Sequence, residues 1–369
     1  MSQHAFIPQM RPLFGAPEKE ELLRYLDEDG FFTEFERTAA FERAIAEFTG
    51  AKHCVVVNNG TVSLSLAALA VGVGPGDEVI CPNYTMIATP NSVHMLGAKP
   101  VFVDVEPDTL ILHPEAVRRA ITPKTKAVML VGANGRAPSA AAGGITAFEA
   151  LARETGVALI EDAAQSLGSW FPDGRHIGRA GAIGSFSFSA PKIISTGQGG
   201  ALITDDDALA DKLKRLKDFG RARGGTDIHD SIGFNFKFTE LQACVGLAQM
   251  RQLPERLPRK KAIWQRYWDG LQGVPGVQLF AHDTQLCTPW FIDGRFERRE
   301  ELAAHLRAAG IGTRTMYPPI HQQKAYDLPG SFPVSEAIGR EGLWLPSMIQ
   351  LEDAQVDRIC AEIRSFYGR

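Results

Sequence analysis

Three short stretches of the 369-residue chain join reactive side chains to neighbours that would position them. Lys192 closes the run Ser185-Phe186-Ser187-Phe188-Ser189-Ala190-Pro191-Lys192 and precedes the glycine-rich turn Gly197-Gln198-Gly199-Gly200. A lysine leaving a buried strand is held partly out of water. Desolvation then draws its ammonium from about 10.4 toward roughly 7–8 and leaves a nucleophilic amine at neutral pH. An exposed loop lysine has the same local sequence. Asp162 ends the apolar run Val157-Ala158-Leu159-Ile160. A carboxylate there is costly to bury without a positive partner, although Asp before Ala163-Ala164 also suits a helix N-cap. Asn59-Gly60-Thr61 follows one strand and opens a helix, so free N–H groups and the helix dipole favour an anion, or the segment is a plain cap. Ser187 adds a hydroxyl.

An amine, a buried acid and phosphate-binding turns at strand ends together ask for pyridoxal 5′-phosphate. The lysine condenses with its aldehyde, the acid keeps the ring nitrogen protonated, and the turns hold the phosphate.

The elements that must carry these residues alternate. Strands are expected at Cys54–Val57, Glu78–Cys81, Val101–Val105, Ala127–Val131, Val157–Ile160, Ile183–Phe188 and Gly200–Thr204, with helices at Phe35–Phe48, Val62–Ala70 and Ala147–Thr155. That order predicts a mainly parallel sheet covered by helices on both faces, with ligands beyond the carboxyl ends of its strands. From Leu253 the texture changes. A Pro-flanked basic stretch runs into an aromatic helix at Ile263–Leu271, and further helices are expected at Arg299–Ala309 and Glu352–Phe366. The expected division is a large domain over residues 16–254 and a small C-terminal domain over 255–369, against which the N-terminal arm 1–15 packs.

Composition narrows the partners. A hydrophobic fraction of 44% against 22% charged suits a globular protein, and a net charge of −4 argues against nucleic acid. No apolar run is long enough for a membrane span, and five scattered cysteines fit a reducing cytoplasm. Gly72–Asp77 imitates a dinucleotide fingerprint but precedes a strand instead of following one, and the dispersed histidines offer no metal site.

From Phe35-Glu36 onward the sequence resembles the DegT-type sugar-nucleotide aminotransferases, which have the aspartate aminotransferase fold (fold type I). The matching runs are Asn59-Gly60-Thr61, Gly74-Pro75-Gly76-Asp77-Glu78-Val79-Ile80, Val101-Phe102-Val103-Asp104-Val105, Glu161-Asp162-Ala163-Ala164-Gln165, Ser185-Phe186-Ser187-Phe188, Gly197-Gln198-Gly199-Gly200, Gly233-Phe234-Asn235-Phe236 and Gly246-Leu247-Ala248-Gln249. The resemblance implies an α/β large domain with a mainly parallel sheet plus a smaller α+β C-terminal domain. It implies that Lys192 binds the aldehyde, Asp162 pairs with the pyridine nitrogen, Gln165 contacts the ring oxygen, and Gly60, Thr61 and Ser187 hold the phosphate. Asn235 would reach the cofactor of a neighbouring subunit, so a homodimer with shared active sites is implied.

Within that family, His229-Asp230, Arg314 with His321, and Gly342–Ser347 are most similar to the group of GDP-perosamine synthases. This implies transfer of an amino group from L-glutamate to a nucleotide-linked keto-sugar, at C4 of a 4-keto-6-deoxyhexose, for surface polysaccharide or related amino-sugar synthesis in the cytoplasm. Arg221, Lys237 and Arg314 are the candidates for gripping substrate anions, with His229 and His321 near the sugar; solvated surface positions would suit them equally. Three positions depart from the family pattern. Met86 stands where an aromatic stacks on the cofactor ring, Gly132-Ala133-Asn134-Gly135 replaces His-x-Tyr-Gly, and Lys237 replaces an arginine. Other keto-sugars remain alternatives. So do a sugar dehydratase, whose lysine is typically histidine, a non-catalytic cofactor-binding regulator, and a cofactor-free scaffold.

Overall fold

The computed structural model describes residues 5–28, 30–222 and 224–368. Seven strands form the larger sheet: β1 (His53–Val57), β2 (Glu78–Pro82), β3 (Lys99–Val103), β4 (Thr125–Val131), β5 (Ala158–Asp162), β6 (Ile183–Ser187) and β7 (Gly200–Thr204). Their spatial order is β1-β7-β6-β5-β4-β2-β3. All neighbours pair parallel except β7, which runs antiparallel to both β1 and β6. The expected mainly parallel sheet is therefore present, and β3 begins and ends two residues earlier than Val101–Val105.

Alternation along each strand divides the apolar residues between the two faces. Val55, Val57, Val79, Cys81, Ala127 and Met129 join one core, while Cys54, Val56, Ile80, Val128 and Leu130 join the other. A sheet buried on both sides needs near-continuous apolar strands, and these are. Register then fixes where the reactive residues emerge. Val57 and Ser187 both pair with Gly200, and Asp162 pairs with Ser185. The carboxyl ends of β1, β5 and β6 thus lie side by side at one edge.

A second sheet of four antiparallel strands follows: β8 (Val277–Leu279), β9 (Ile292–Phe296), β10 (Arg314–Thr315) and β11 (Gly342–Leu345), in the order β10-β11-β9-β8. It has its own core, including Tyr267, Ile292, Phe296, Leu306 and Ile359. Ile7 joins that core and bridges to Ile311; residues 1–4 of the expected arm lie outside the described residues. The aromatic helix is longer than its sequence suggests, running unbroken over Leu253–Leu271 and through the expected boundary at residue 255. Pro254 occupies the first turn, where an N–H has no helical acceptor. The N–H that Pro258 lacks would have served only the first-turn carbonyl of Pro254. No helix of the described residues is long and apolar enough to cross a membrane.

Beside Asp162, β5 also carries Glu161 to the opposite face. Its carboxylate is buried and accepts from the N–H groups of Gly178 at 2.8 Å, Ala180 at 2.6 Å and Gly181 at 2.7 Å, anchoring the loop that leads into β6. Glu161→Gln turns an amide NH2 against at least one of these donors. The expected result is a loss of about 1–3 kcal/mol in stability, read by chemical denaturation.

Candidate active site

A cleft of about 670 Å³ opens at this sheet edge. Gly60, Thr61, Met86, Asp162, Gln165, Ser187, Lys192 and Arg314 all line it. Its phosphate-sized end is built by the helix Gly60–Ala70. Asn59 caps that helix by accepting from the N–H of Val62 at 2.9 Å. The N–H groups of Gly60 and Thr61 precede the helical ladder and have no acceptor within it. Gly60 is required by proximity, since a Cβ there would lie 2.7 Å from Cβ of Ser187. The close approach brings the helix N-terminus and the Ser187 hydroxyl to one point.

At the other end Asp162 is buried. Its Oδ2 accepts from the Thr89 hydroxyl at 2.8 Å and its Oδ1 from the N–H of Ala164 at 3.2 Å. Thr89 in turn meets the Thr85 hydroxyl at 2.8 Å. Because Thr89 commits its proton to the carboxylate, Thr85 must be the donor to Thr89, a two-hydroxyl chain directed at Asp162. Burial still pushes the Asp162 carboxyl above its ordinary range; the hydrogen bonds from Thr89 and Ala164 and the charge of Lys192 offset this only in part.

Lys192 sits on the cleft wall, with protein packed around its amine. Desolvation lowers its ammonium to about 8, and the negative charge of Asp162 pulls the other way. Among the described residues Lys192 makes no ion pair; its Nζ lies 4.2 Å from the ring centroid of Trp290. A cation over an indole face is stabilised while the same ring excludes water. Burial thus drives both the acid and the amine toward their neutral forms, and the space between them is open. A protonated ring nitrogen facing Asp162, a carbonyl carbon facing Lys192 and a phosphate at Gly60, Thr61 and Ser187 would relieve each of these costs. The site fits pyridoxal 5′-phosphate.

The Gln165 amide is fixed in one orientation. Its Oε1 accepts from the N–H of Asn134 at 2.6 Å, which leaves its NH2 end as the donor available to the cleft. Met86 is half-exposed on the cleft, where the stacking residue was expected. Tyr84 is buried instead, its ring 6.0 Å from that of Tyr317.

The remaining candidates separate. Arg314 reaches the cleft, its guanidinium 5.5 Å from the Trp344 ring centroid. His321 is buried outside the lining, bonded through Nδ1 to Asn83 at 2.9 Å and 3.6 Å from Glu336. Arg221 is paired with Asp218 and Asp227, and Lys237 with Asp218. His229 is exposed and bonds through Nδ1 to the carbonyl of Phe219 at 2.9 Å. Asn235 is exposed and outside the lining of its own chain's cleft. Sequence reasoning missed Trp290, Thr85, Thr89, Ser189 and Gln198. Thr85 adjoins Met86 and Ser189 follows Ser187, so local extension of the motifs finds those two; nothing in the sequence signals Trp290.

Residues 15–364 match the DegT/DnrJ/EryC1/StrS aminotransferase family. A GDP-perosamine synthase of Escherichia coli O157:H7 is 34% identical over 98% of this chain and 99% of its own length. The crystal structure of DesV from S. venezuelae in complex with a ketimine intermediate superposes with a TM-score of 0.90 at 34% identity, covering 99% of this chain and 100% of that one. The structure of DesI in the presence of its TDP-sugar product gives 0.89 at 30% identity, covering 100% and 94%.

The opposing influences on Lys192 give a direct test. In apoprotein, labelling of Lys192 by an amine reagent, followed by mass spectrometry, should be half-maximal near pH 8. Asp162→Asn removes the charge that raises the amine, so the midpoint should move down; an upward move would show that Asp162 acts on Lys192 otherwise than through its charge.

Proposed function

Because this chain belongs to the DegT/DnrJ/EryC1/StrS aminotransferase family, and is thus a pyridoxal 5′-phosphate-dependent sugar aminotransferase, we propose that it moves an amino group from L-glutamate to C4 of a nucleotide-linked 4-keto-6-deoxyhexose. The observation that carries this reading is Lys192 facing Asp162 across a cleft whose far end is a helix N-terminus. Similarity to GDP-perosamine synthases over nearly the whole chain supports the choice of sugar and carbon. The setting is a cytoplasmic one, and the product serves surface polysaccharide, as in lipopolysaccharide O-antigen, or related amino-sugar synthesis.

Bound in this cleft, the cofactor supplies an aldehyde that takes up amines and an electron-poor ring that accepts the electron pair of a broken C–H bond. Asp162 holds the proton on the ring nitrogen, its own carboxylate kept in place by Thr89 and Ala164. The backbone N–H groups of Gly60 and Thr61 and the Ser187 hydroxyl hold the phosphate. Gln165 would donate its amide to the ring oxygen, and Met86 would offer a polarisable thioether to the ring. Lys192 Nζ, close to half neutral near pH 8, carries the proton from the α-carbon of the amino donor and returns one to the sugar carbon. Arg314 grips a donor carboxylate with its planar fork. His321, buried and bonded to Asn83, lies outside the cleft lining of its own chain.

The active unit is a homodimer. Phe31, Phe32, Phe35, Ile228, Ile232 and Phe234 are exposed at 40–80%, a concentration of apolar surface that a second copy would cover. Arg221, His229, Asn235 and Lys237 all belong to the 219–237 segment, and in such a dimer they would serve the partner's cleft. Sedimentation velocity should show a dimer at micromolar concentration, and a monomer there would remove the shared site.

The deciding experiment presents the protein with nitrogen-15-labelled glutamate and a panel of nucleotide-linked keto-sugars, read by mass spectrometry for the labelled carbon. Label is expected at C4 of the 4-keto-6-deoxy substrate. Lys192→Ala should lower the rate by about 1,000-fold or more, and Arg314→Ala should raise the KM for glutamate roughly 10–100-fold through loss of a charged hydrogen bond. Deoxygenated sugar without nitrogen, or label at another carbon, would overturn the assignment.

A further inference from the structure

Asn134 lies in the Gly132–Gly135 segment that departs from the family pattern, and it is the most heavily bonded residue near the cleft that the proposed reaction does not use. It is buried and takes a left-handed conformation, φ +54°. Asparagine tolerates this region where β-branched residues do not. Its main-chain N–H donates to Oε1 of Gln165 at 2.6 Å. Its side chain grips the backbone of Phe291 at two points: Oδ1 accepts from the Phe291 N–H at 2.6 Å and Nδ2 donates to the Phe291 carbonyl at 2.8 Å. Nδ2 also lies 3.4 Å from Nε2 of His282, and the Asn134 carbonyl accepts from the N–H of Trp290 at 3.4 Å.

Those bonds fall on the two residues that face the amine and the ring oxygen. Trp290 covers Lys192 Nζ at 4.2 Å, and its indole N–H donates to the Pro191 carbonyl at 2.7 Å. The Trp290 carbonyl is held by Nζ of the buried Lys260 at 2.6 Å. Gln165, for its part, has an amide that could face either way, and only an acceptor-in, donor-out orientation suits a ring oxygen. The Asn134 N–H selects it.

We propose that Asn134 is a positioning residue for amino transfer: its left-handed main chain sets the Gln165 amide with the donor toward the cleft, and its side chain pins Phe291 so that Trp290 stays over Lys192. The inference rests on the aminotransferase reading for its purpose but not for its test. Because the side chain and the main chain act on different partners, two substitutions separate them. Asn134→Gly keeps the left-handed backbone and the bond to Gln165 while removing the grip on Phe291. Asn134→Val disfavours the left-handed backbone and removes both.

The test uses apoprotein of unchanged melting temperature. With Asn134→Gly the pH midpoint of Lys192 labelling should move away from about 8, because Nζ then loses the ring face and gains water as the indole loosens. Cofactor affinity supplies the other arm. Asn134→Val should weaken binding of pyridoxal phosphate about 3–10-fold, the loss of one hydrogen bond, and adding Gln165→Ala should weaken it no further; on Asn134→Gly, Gln165→Ala should keep its full effect. An unmoved midpoint, or full additivity of Gln165→Ala on Asn134→Val, overturns the proposal. Should Asn134→Gly fail to fold, Trp290→Leu reads the same contact from its other side, and an unmoved midpoint there overturns it equally. If Asn134→Valine protein cannot be obtained, Asn134→Ala takes its place in the cycle. Since labelling needs neither sugar nor amino donor, failure of every keto-sugar to accept nitrogen would reject the substrate reading and leave this result standing.

Discussion

The site depends on a carboxylate buried at the end of a strand with no cation bonded to it. Asp162 is carried out of water because β5 lies between β4 and β6, and Ala158, Leu159 and Ile160 before it on that strand pack into the cores. Two donors, Thr89 and Ala164, are enough to hold the group in one orientation but not to offset its desolvation. A buried acid left in that condition takes up a proton or finds a positive partner. The amine experiences the same solvent exclusion with the opposite sign, so one act of burial prepares both ends of the site.

The two sheets divide the labour. Asp162 and Ser187 end strands of the larger one, and Gly60, Thr61, Gln165 and Lys192 follow shortly after its strand ends, whose register is fixed by two-sided burial. A slip of one residue would turn each apolar strand inside out. The smaller sheet supplies Trp290, just before β9, and Arg314 on β10, which close the cleft from above. The buried pair Arg136–Asp293 ties the segment after β4 to β9 with contacts of 2.6 and 2.9 Å, so this lid is anchored by charge as well as by packing.

The positions of Lys192, Asp162, Gly60, Thr61 and Ser187 were legible in the sequence because each sits at the end of an apolar run, where periodicity and turn chemistry are local signals. Glu161 shows the limit of that reading, since it shares the strand end with Asp162 and only the alternation of faces sends one to a loop and the other to the cleft. Trp290 was not legible. It meets Lys192 through tertiary packing across two sheets, and its local sequence, Thr288-Pro289-Trp290-Phe291, resembles any apolar strand entry. The full length of the helix Leu253–Leu271 was hidden for a different reason: two prolines suggest a break, yet both fall where the helix has few N–H bonds to lose. His321 lies outside the cleft lining, its ring and its main-chain N–H both meeting Asn83, a pairing that local sequence does not signal.

The segment after β4 is tightly packed at two of its glycines. Replacing His-x-Tyr-Gly by Gly132-Ala133-Asn134-Gly135 removes two rings from the strand end after β4. Cβ atoms could not be added there freely: one on Gly132 would lie 2.4 Å from the Ser166 hydroxyl, and one on Gly135 would lie 2.4 Å from the carbonyl of Thr288. The 166–169 loop and the 288–291 segment pack directly against these glycines. Trp290, just before β9, brings an aromatic surface to the cleft beside Lys192. A thioether, Met86, and an indole, Trp290, both line the cleft. A substrate sugar in this cleft would meet indole beside the reacting amine, so any change in sugar preference relative to the family should be sought in groups that pass Trp290 and not in those near the phosphate.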